Sequence, residues 1–223
     1  MPIITALEIQ KRDKERVSVY LDGEFAFGLT LIEAAQLRKG QDLTDAQIAE
    51  LRAGDEVNRA YEHAVRFLGY RPRSTAEIKK NLREKGYSDE AIEASIAKLN
   101  DQRYLDDEAF ARYWVANRTE FKPRGSRALR TELRQKGISD AIISEVLAEQ
   151  DGQDDAYRAA QQKVRRYKHK TQTEFKQKVG QFLMRRGFEY HIIKPVLAQL
   201  IEELVEDDPH FFSSGDDDLS DEF

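Results

Sequence analysis

The stretch Leu82-Arg-Glu-Lys-Gly86-Tyr87 decides the fold, because it occurs three times along the chain. It returns as Leu133-Arg-Gln-Lys-Gly137-Ile138 and as Leu183-Met-Arg-Arg-Gly187-Phe188, so the glycines lie 51 and 50 residues apart. The leucine four residues before each glycine belongs to the apolar face of a helix, and the basic residues suit the negative end of its dipole. Glycine then supplies the left-handed conformation that ends the helix.

The pattern extends to both sides of each glycine and predicts units of three helices. Isoleucine follows each glycine by six residues, on the apolar face of a second helix that Ser88 or Ser139 can cap. A further helix precedes each pair, predicted over residues 57–68, 107–119 and 154–167. We place the units at residues 55–104, 105–151 and 152–205. The fold class predicted is mainly α, with three tandem three-helix repeats in an elongated curved array.

Residues 1–54 read as a small β-containing extension that precedes the repeats. Apolar alternation predicts strands over residues 3–9, 17–21 and 25–29, with Asp22-Gly23 as a hairpin turn of type I′. A helical turn is expected over residues 30–36. Thr44, followed three residues later by Gln47, predicts a capping box for a short helix that ends at Leu51.

Composition and missing motifs exclude several classes of function. The chain has no cysteine, which excludes disulfides, a thiolate zinc site and a cysteine nucleophile. It has neither a phosphate-binding loop nor a nucleophile elbow, its four histidines lack ligand spacing, and Asp106-Asp107-Glu108 reads as the first turn of a helix. We therefore predict no catalytic site, no metal and no cofactor. Without a signal peptide or an apolar run of ~18 residues, we expect a cytoplasmic protein with no membrane partner.

Charge is divided unevenly along the chain. Lys and Arg number 36 and Asp and Glu 41, which gives a net charge of −5. Residues 202–223 hold ten of the acids and no Lys or Arg, so the other residues carry a net charge of +5. We expect residues 206–223 to be a disordered acidic tail. Such a tail either solubilises the protein or competes with an acidic partner for the basic body.

Basic residues form one cluster in each repeat, at comparable places. The first cluster is Arg71, Arg73, Lys79, Lys80 and Arg83; the second is Lys122, Arg124, Arg127, Arg130 and Arg134; the third is Lys163, Arg165, Arg166, Lys168 and Lys170. Arg127, Arg130 and Arg134 share one helical face. The clusters are either ordinary solvated surface or a stripe that binds DNA phosphates or an acidic protein–DNA filament without reading sequence.

The connection between the first two repeats carries the most specific motif. Tyr104-Leu105-Asp106-Asp107 is followed by Phe110-Ala111, and then by Trp114-Val115 and Lys122-Pro-Arg-Gly125. The spacing of Phe110 and Trp114 favours core packing over base stacking. With Gly86, Gly137 and Gly187, these residues resemble the RecX family of regulatory proteins, which modulate the RecA recombinase. The resemblance covers residues 55–200, and residues 1–54 look like the N-terminal extension of some members.

The resemblance implies a non-enzymatic protein that acts in homologous recombination, DNA repair and the SOS response. Members of the family bind RecA filaments on single-stranded DNA, within the helical groove, and restrain strand exchange, ATP hydrolysis and co-protease activity. The partners expected are therefore the RecA filament and, weakly or through RecA, single-stranded DNA. We expect a monomer. A general DNA-binding helical repeat without sequence preference stays open as the alternative.

Overall fold

The computed structural model describes residues 1–213, in which a three-stranded antiparallel sheet precedes ten helices. The strands are β1 (Ile4–Ile9), β2 (Arg16–Leu21) and β3 (Glu24–Thr30), in the spatial order β1-β2-β3. The hairpin prediction is confirmed, because Asp22 and Gly23 both have positive φ, at 50° and 90°. Val17, Val19 and Leu29 are buried on one face of the sheet.

The helices group into three sets after a single short turn of helix. They are α1 (Leu31–Ala34), α2 (Asp45–Leu68), α3 (Thr75–Glu84), α4 (Asp89–Asp101), α5 (Asp107–Phe121), α6 (Ser126–Gln135), α7 (Asp140–Ala148), α8 (Gly152–Val164), α9 (Gln172–Arg185) and α10 (Tyr190–Asp207). A 3-10 turn over Arg165–Tyr167 follows α8. The mainly α class and the three three-helix units are confirmed.

The first repeat and the N-terminal segment share one helix. The sequence predicts two helices separated near residue 54, whereas α2 is continuous over 24 residues from the Thr44 capping box. Gly54 costs a helix only about 1 kcal/mol, too little to break it. Asp55 then ties the helix to the sheet through an ion pair with Arg16, at 2.7 Å. Residues 1–106 accordingly form one compact unit, and the helix crosses the boundary expected at residues 54/55.

The three repeated glycines end α3, α6 and α9 as predicted. Their φ angles are +84° at Gly86, +77° at Gly137 and +86° at Gly187. The residue after each glycine donates its backbone N–H to the leucine carbonyl five residues earlier, and for Tyr87 and Leu82 the distance is 3.3 Å. This is the Schellman arrangement, which satisfies carbonyls at the helix end.

Each three-helix unit has its own core, built from the repeated apolar positions. The first core holds Ile78, Leu82 and Ile92, the second Leu129, Leu133 and Ile143, and the third Val179, Leu183 and Ile193, all at 2% exposure or less. Phe175 at 0% exposure is the largest fully buried side chain of the third core. The predicted core positions are therefore confirmed in all three units.

The second and third units meet at two glycines. The N–H of Gly125 donates to the carbonyl of Arg186 at 3.0 Å. A Cβ atom on Gly125 would lie 2.2 Å from the carbonyl oxygen of Gly187, so no side chain fits there. The Arg186 guanidinium also donates to the carbonyl of Pro123, at 3.1 Å. This close backbone contact fixes how the second unit joins the third.

The chain turns back onto the third unit after α10. Phe211 is buried, and its carbonyl accepts from the N–H of His169 at 2.7 Å. The N–H of Ser213 donates to the carbonyl of Lys170 at 3.0 Å, and Phe212 packs edge-on to Phe175. Residues 206–213, which the sequence assigns to the acidic tail, are thus part of the third unit in the structure. The expected disorder of residues 214–223 lies outside the described residues.

Candidate functional site

The first basic cluster lies beside carboxylates of its own unit. The ion pairs and their N–O distances are Arg71–Glu77 at 2.9 Å, Lys79–Glu93 at 2.6 Å, Lys80–Glu84 at 3.9 Å and Arg83–Asp89 at 3.0 Å. Arg73 instead lies over the ring of Phe67, 3.7 Å from its centroid, and burial lowers the pKa of this guanidinium. Arg71, Lys79 and Arg83 are therefore neutralised by close carboxylates, Lys80 has only a long and exposed pair that contributes little, and Arg73 is a packing residue.

The second cluster is divided between paired and open cations. Arg134 pairs with Asp140 at 2.8 Å, and the hydrogen bond between them raises the pKa of the arginine and lowers that of the aspartate. Arg130 donates to the hydroxyl of Ser144 at 3.2 Å. Lys122 and Arg127 are exposed, and within residues 1–213 neither forms an ion pair. With Arg130, whose hydroxyl partner is uncharged, they are the side chains of this cluster that present an unpaired charge.

Glu132 binds three polar side chains of the second unit. Its carboxylate accepts from the Trp114 indole N–H at 2.9 Å and from Arg118 at 2.8 Å, and pairs with Arg124 at 3.1 Å. The Trp114 ring stacks on the buried Phe110, with centroids 6.0 Å apart. The predicted packing role of Phe110 and Trp114 is therefore confirmed.

The third cluster surrounds the 3-10 turn that follows α8. Arg165 and Arg166 are exposed on this turn. Lys168 pairs with Asp208 at 3.1 Å, and this hydrogen bond lowers the pKa of the aspartate. Lys170 lies 3.9 Å from Glu174, a distance at which an exposed pair contributes little.

Part of the third cluster lines a groove of about 190 Å³ between α8 and α9, which we call the third-unit groove. Its lining residues are Lys163, Arg166, Tyr167, Lys178, Gln181, Phe182 and Arg185. The lining contains four cations and no acid. Lys163 Nζ lies 5.0 Å from the centroid of the Phe182 ring. None of the four cations forms an ion pair within residues 1–213.

Arg185 is absent from the candidates drawn from the sequence, and Lys178 lies close to the third cluster in the sequence without being one of its five residues. The signal that finds them is helical spacing, because Lys178, Gln181, Phe182 and Arg185 are related as i, i+3, i+4 and i+7. Clustering along the sequence misses this, since Lys178 and Arg185 are two helical turns apart. Arg165, Lys168 and Lys170 lie near the groove in sequence but do not line it.

The motif residues between the first two repeats are divided between the two cores and the surface. Leu105 is buried against the first core, and Phe110 and Ala111 lie within the second. Tyr104 is 55% exposed. Asp107 opens α5, directly after Asp106, which confirms the expected first helical turn. In residues 1–213 no group of three His, Asp or Glu side chains is placed to hold a metal ion.

Comparison with known proteins follows the same division of the chain. The N-terminal domain of regulatory protein RecX matches residues 2–44, and the three RecX three-helix domains match residues 60–99, 106–147 and 149–197, in order. Two relatives named regulatory protein RecX are those of Bacillus licheniformis and Bacillus subtilis. They are 35% and 34% identical to this chain over 89% and 93% of its length, and over 78% and 80% of theirs.

This chain belongs to the RecX family. A crystal structure of regulatory protein RecX superposes with a TM-score of 0.72 at 31% identity, over 88% of this chain and 98% of that one. RecX from Lactobacillus salivarius gives a TM-score of 0.62 at 25% identity, over 67% and 99%. The family assignment and the RecX-like fold are thereby confirmed. None of the helices in residues 1–213 is long and apolar enough to cross a membrane.

Proposed function

We propose that this protein is a cytoplasmic regulator of the RecA recombinase, which binds RecA filaments on single-stranded DNA. Bound there, it lowers strand exchange, ATP hydrolysis and co-protease activity. The observation that carries the proposal is the match of all four RecX domains, in order, along residues 2–197. The protein acts without a cofactor, as a monomer and without catalysis of its own.

The charges support a partner that is itself an anionic filament. Arg127, Lys122 and the cations of the third-unit groove offer unpaired positive charge. Phosphate contacts of this kind position a protein without reading sequence. A RecA filament on DNA presents both phosphates and protein surface, so weak contacts of each kind can add up through multivalency.

The experiment is RecA-catalysed ATP hydrolysis on single-stranded DNA, measured as the protein is titrated. We expect the rate to fall as the protein approaches RecA in concentration. An ATPase unrelated to RecA that also depends on single-stranded DNA is the control, because sequestration of the DNA would slow both enzymes. No change in the RecA rate at stoichiometric excess would overturn the proposal.

A second candidate function is general binding of DNA without RecA, and the unpaired cations of the third-unit groove favour it. This function predicts tight binding of bare DNA that falls steeply as salt rises. A filament-specific regulator binds bare DNA weakly and the RecA filament tightly. Sedimentation of the protein with DNA, with and without RecA, separates the two.

A further inference from the structure

We propose that the third-unit groove is a binding site for the phosphodiester backbone of single-stranded nucleic acid. The site deepens the proposed function and rests on it only for its role, since the groove can be tested without RecA. Its cations come from two sides: Lys163 and Arg166 from α8 and the turn after it, Lys178 and Arg185 from α9. Arg166, Lys178 and Arg185 are exposed and can reach a ligand.

The cations that α9 contributes to the groove are peculiar to the third repeat. Nine, five and two residues before the repeat glycine, the third unit has Lys178, Phe182 and Arg185. At the same positions the first unit has Glu77, Asn81 and Glu84, and the second has Ala128, Glu132 and Gln135. The equivalent face is therefore acidic or neutral in the first two units and cationic in the third. A general excess of basic residues would not produce this pattern.

The spacing of the cations suits a chain of phosphates better than a single small anion. Lys178 and Arg185 are seven residues apart on α9, which places them about 10 Å apart along the helix axis. Successive phosphates of a nucleic acid can contact both cations without the two side chains bending toward each other. Each guanidinium group, of Arg166 and of Arg185, can donate two parallel hydrogen bonds to two oxygens of one phosphate.

The apolar part of the lining favours a single strand. Tyr167 lies among the cations and packs edge-on to the buried Phe175, with ring centroids 5.9 Å apart, whereas the Phe182 ring already contacts Lys163 and Arg186. The contact with Phe175 holds the Tyr167 ring in place. Proteins that bind single strands without sequence preference combine cations along the backbone with aromatic rings on which bases stack. A duplex hides the faces of its bases from such rings.

The test measures binding of a fluorescein-labelled oligodeoxythymidylate by anisotropy, with the full chain and no RecA present. The groove variant is Lys178→Gln with Arg185→Gln. The matched control is Lys80→Gln with Arg83→Gln, which removes the same charge from the equivalent helix of the first unit. The four side chains replaced are all exposed, so both variants should fold. Circular dichroism checks this.

We expect the groove variant to lose roughly tenfold in affinity at low salt, and the control to stay within about twofold of the unchanged protein. The plot of log affinity against log salt should also become shallower by about 1.4 for the groove variant, since each phosphate contact with a single strand contributes ~0.7. Equal losses in the two variants would overturn the site, because net charge alone would then explain binding. Equal binding of a duplex would overturn the assignment to single strands.

The two proposals fail separately. If the groove variant binds the oligonucleotide like the unchanged protein and the protein still inhibits RecA, the proposed binding site is wrong and the proposed regulation of RecA stands. If binding of the oligonucleotide depends on the groove but the protein has no effect on RecA, the proposed regulation is wrong and the proposed binding site stands.

Discussion

The second and third units have the same three-helix fold but present their cations in opposite ways. Five residues before the repeat glycine, the second unit has Glu132, which binds Trp114, Arg118 and Arg124. The third unit has Phe182 at that position, and its ring contacts Lys163 and Arg186 at 5.0 and 4.8 Å. A carboxylate neutralises the cations that it binds, whereas a ring holds them and leaves their charge unbalanced.

The difference shows that a count of basic residues does not locate a binding surface. The first cluster contains five cations, of which three are closely paired with acids, Lys80 has a long exposed pair, and Arg73 is packed on Phe67. The third-unit groove contains four, and none is paired within residues 1–213. Repetition supplied the same scaffold to each unit, and single substitutions on it decided which face of each unit offers open positive charge.

The close contact between the second and third units depends on Gly187, and Gly187→Ala should have the largest effect of the variants proposed. A Cβ atom at Gly187 would lie 2.5 Å from Ala128 Cβ, and the φ angle of Gly187 is +86°. Left-handed strain of ~1–2 kcal/mol and overpacking of ~1–3 kcal/mol should together lower the free energy of unfolding by roughly 2–5 kcal/mol. Urea unfolding, followed by circular dichroism and by fluorescence of the single tryptophan, Trp114, measures it.

Gly86→Ala is the matched control for that variant. Gly86 has a φ of +84° but no atom within 4 Å of its Cβ position, so only the strain of ~1–2 kcal/mol applies. If the two alanine variants lost equal stability, the close contact between the second and third units would be without energetic weight.

Glu132→Gln should move the second unit toward the behaviour of the third. The amide can still accept from Trp114 but leaves Arg118 and Arg124 without a charged partner, so we expect a loss of about 1–2 kcal/mol in the free energy of unfolding. Affinity for the oligodeoxythymidylate should rise, and the salt dependence should steepen by ~0.7 for each arginine that then binds a phosphate. Anisotropy and urea unfolding measure the two effects.

The control for this variant is Glu120→Gln, which removes the same charge from an exposed side chain of α5. Its affinity for the oligonucleotide should change less than that of Glu132→Gln. Equal increases would mean that net charge matters and that the pairing of Arg118 and Arg124 does not.

Removal of residues 214–223 should raise the affinity of the groove for nucleic acid, with a smaller effect than the variants above. This segment holds five carboxylates, Asp216, Asp217, Asp218, Asp221 and Glu222, and the described contacts of Phe211, Phe212 and Ser213 remain without it. If these acids compete with nucleic acid for the groove, affinity at low salt should rise by a few fold and the gain should fade at high salt. The gain should be smaller in the Lys178→Gln, Arg185→Gln background. An unchanged affinity at low salt would leave the segment a solubilising one.

The smallest effect concerns Asp155, which links the two units. Its carboxylate accepts from Thr119 of α5 at 3.0 Å and pairs with Arg158 at 2.6 Å, and burial raises its pKa above the ordinary 3.8. Because the folded protein then holds the proton more tightly than the unfolded chain, stability falls as pH rises from 3.8 through the folded pKa. Asp155→Asn should lack this fall, and unfolding in urea across the acidic range measures it. A parallel pH dependence in both proteins would contradict the prediction.

The sequence predicted those features that local chemistry controls. The spacing of Leu82, Leu133 and Leu183 specifies the buried helix faces. The glycine four residues after each leucine specifies the helix end, because glycine adopts a positive φ easily. The Asp22-Gly23 turn and the Thr44 capping box were predictable for the same reason. The sequence missed the continuity of α2 past Gly54, because the ion pair between Asp55 and Arg16 joins residues 39 positions apart.

By itself, therefore, the sequence determined the repeat, its helix ends, its three cores and the family. Only the tertiary structure decided which cations are available, because pairing depends on carboxylates brought near from other helices. Arg134 and Lys178 look alike in the sequence, yet Asp140 neutralises the first while the second faces a groove without acids. Helix formation depends on neighbours three or four residues away, whereas the field at a charged side chain depends on every charge that folding brings close to it.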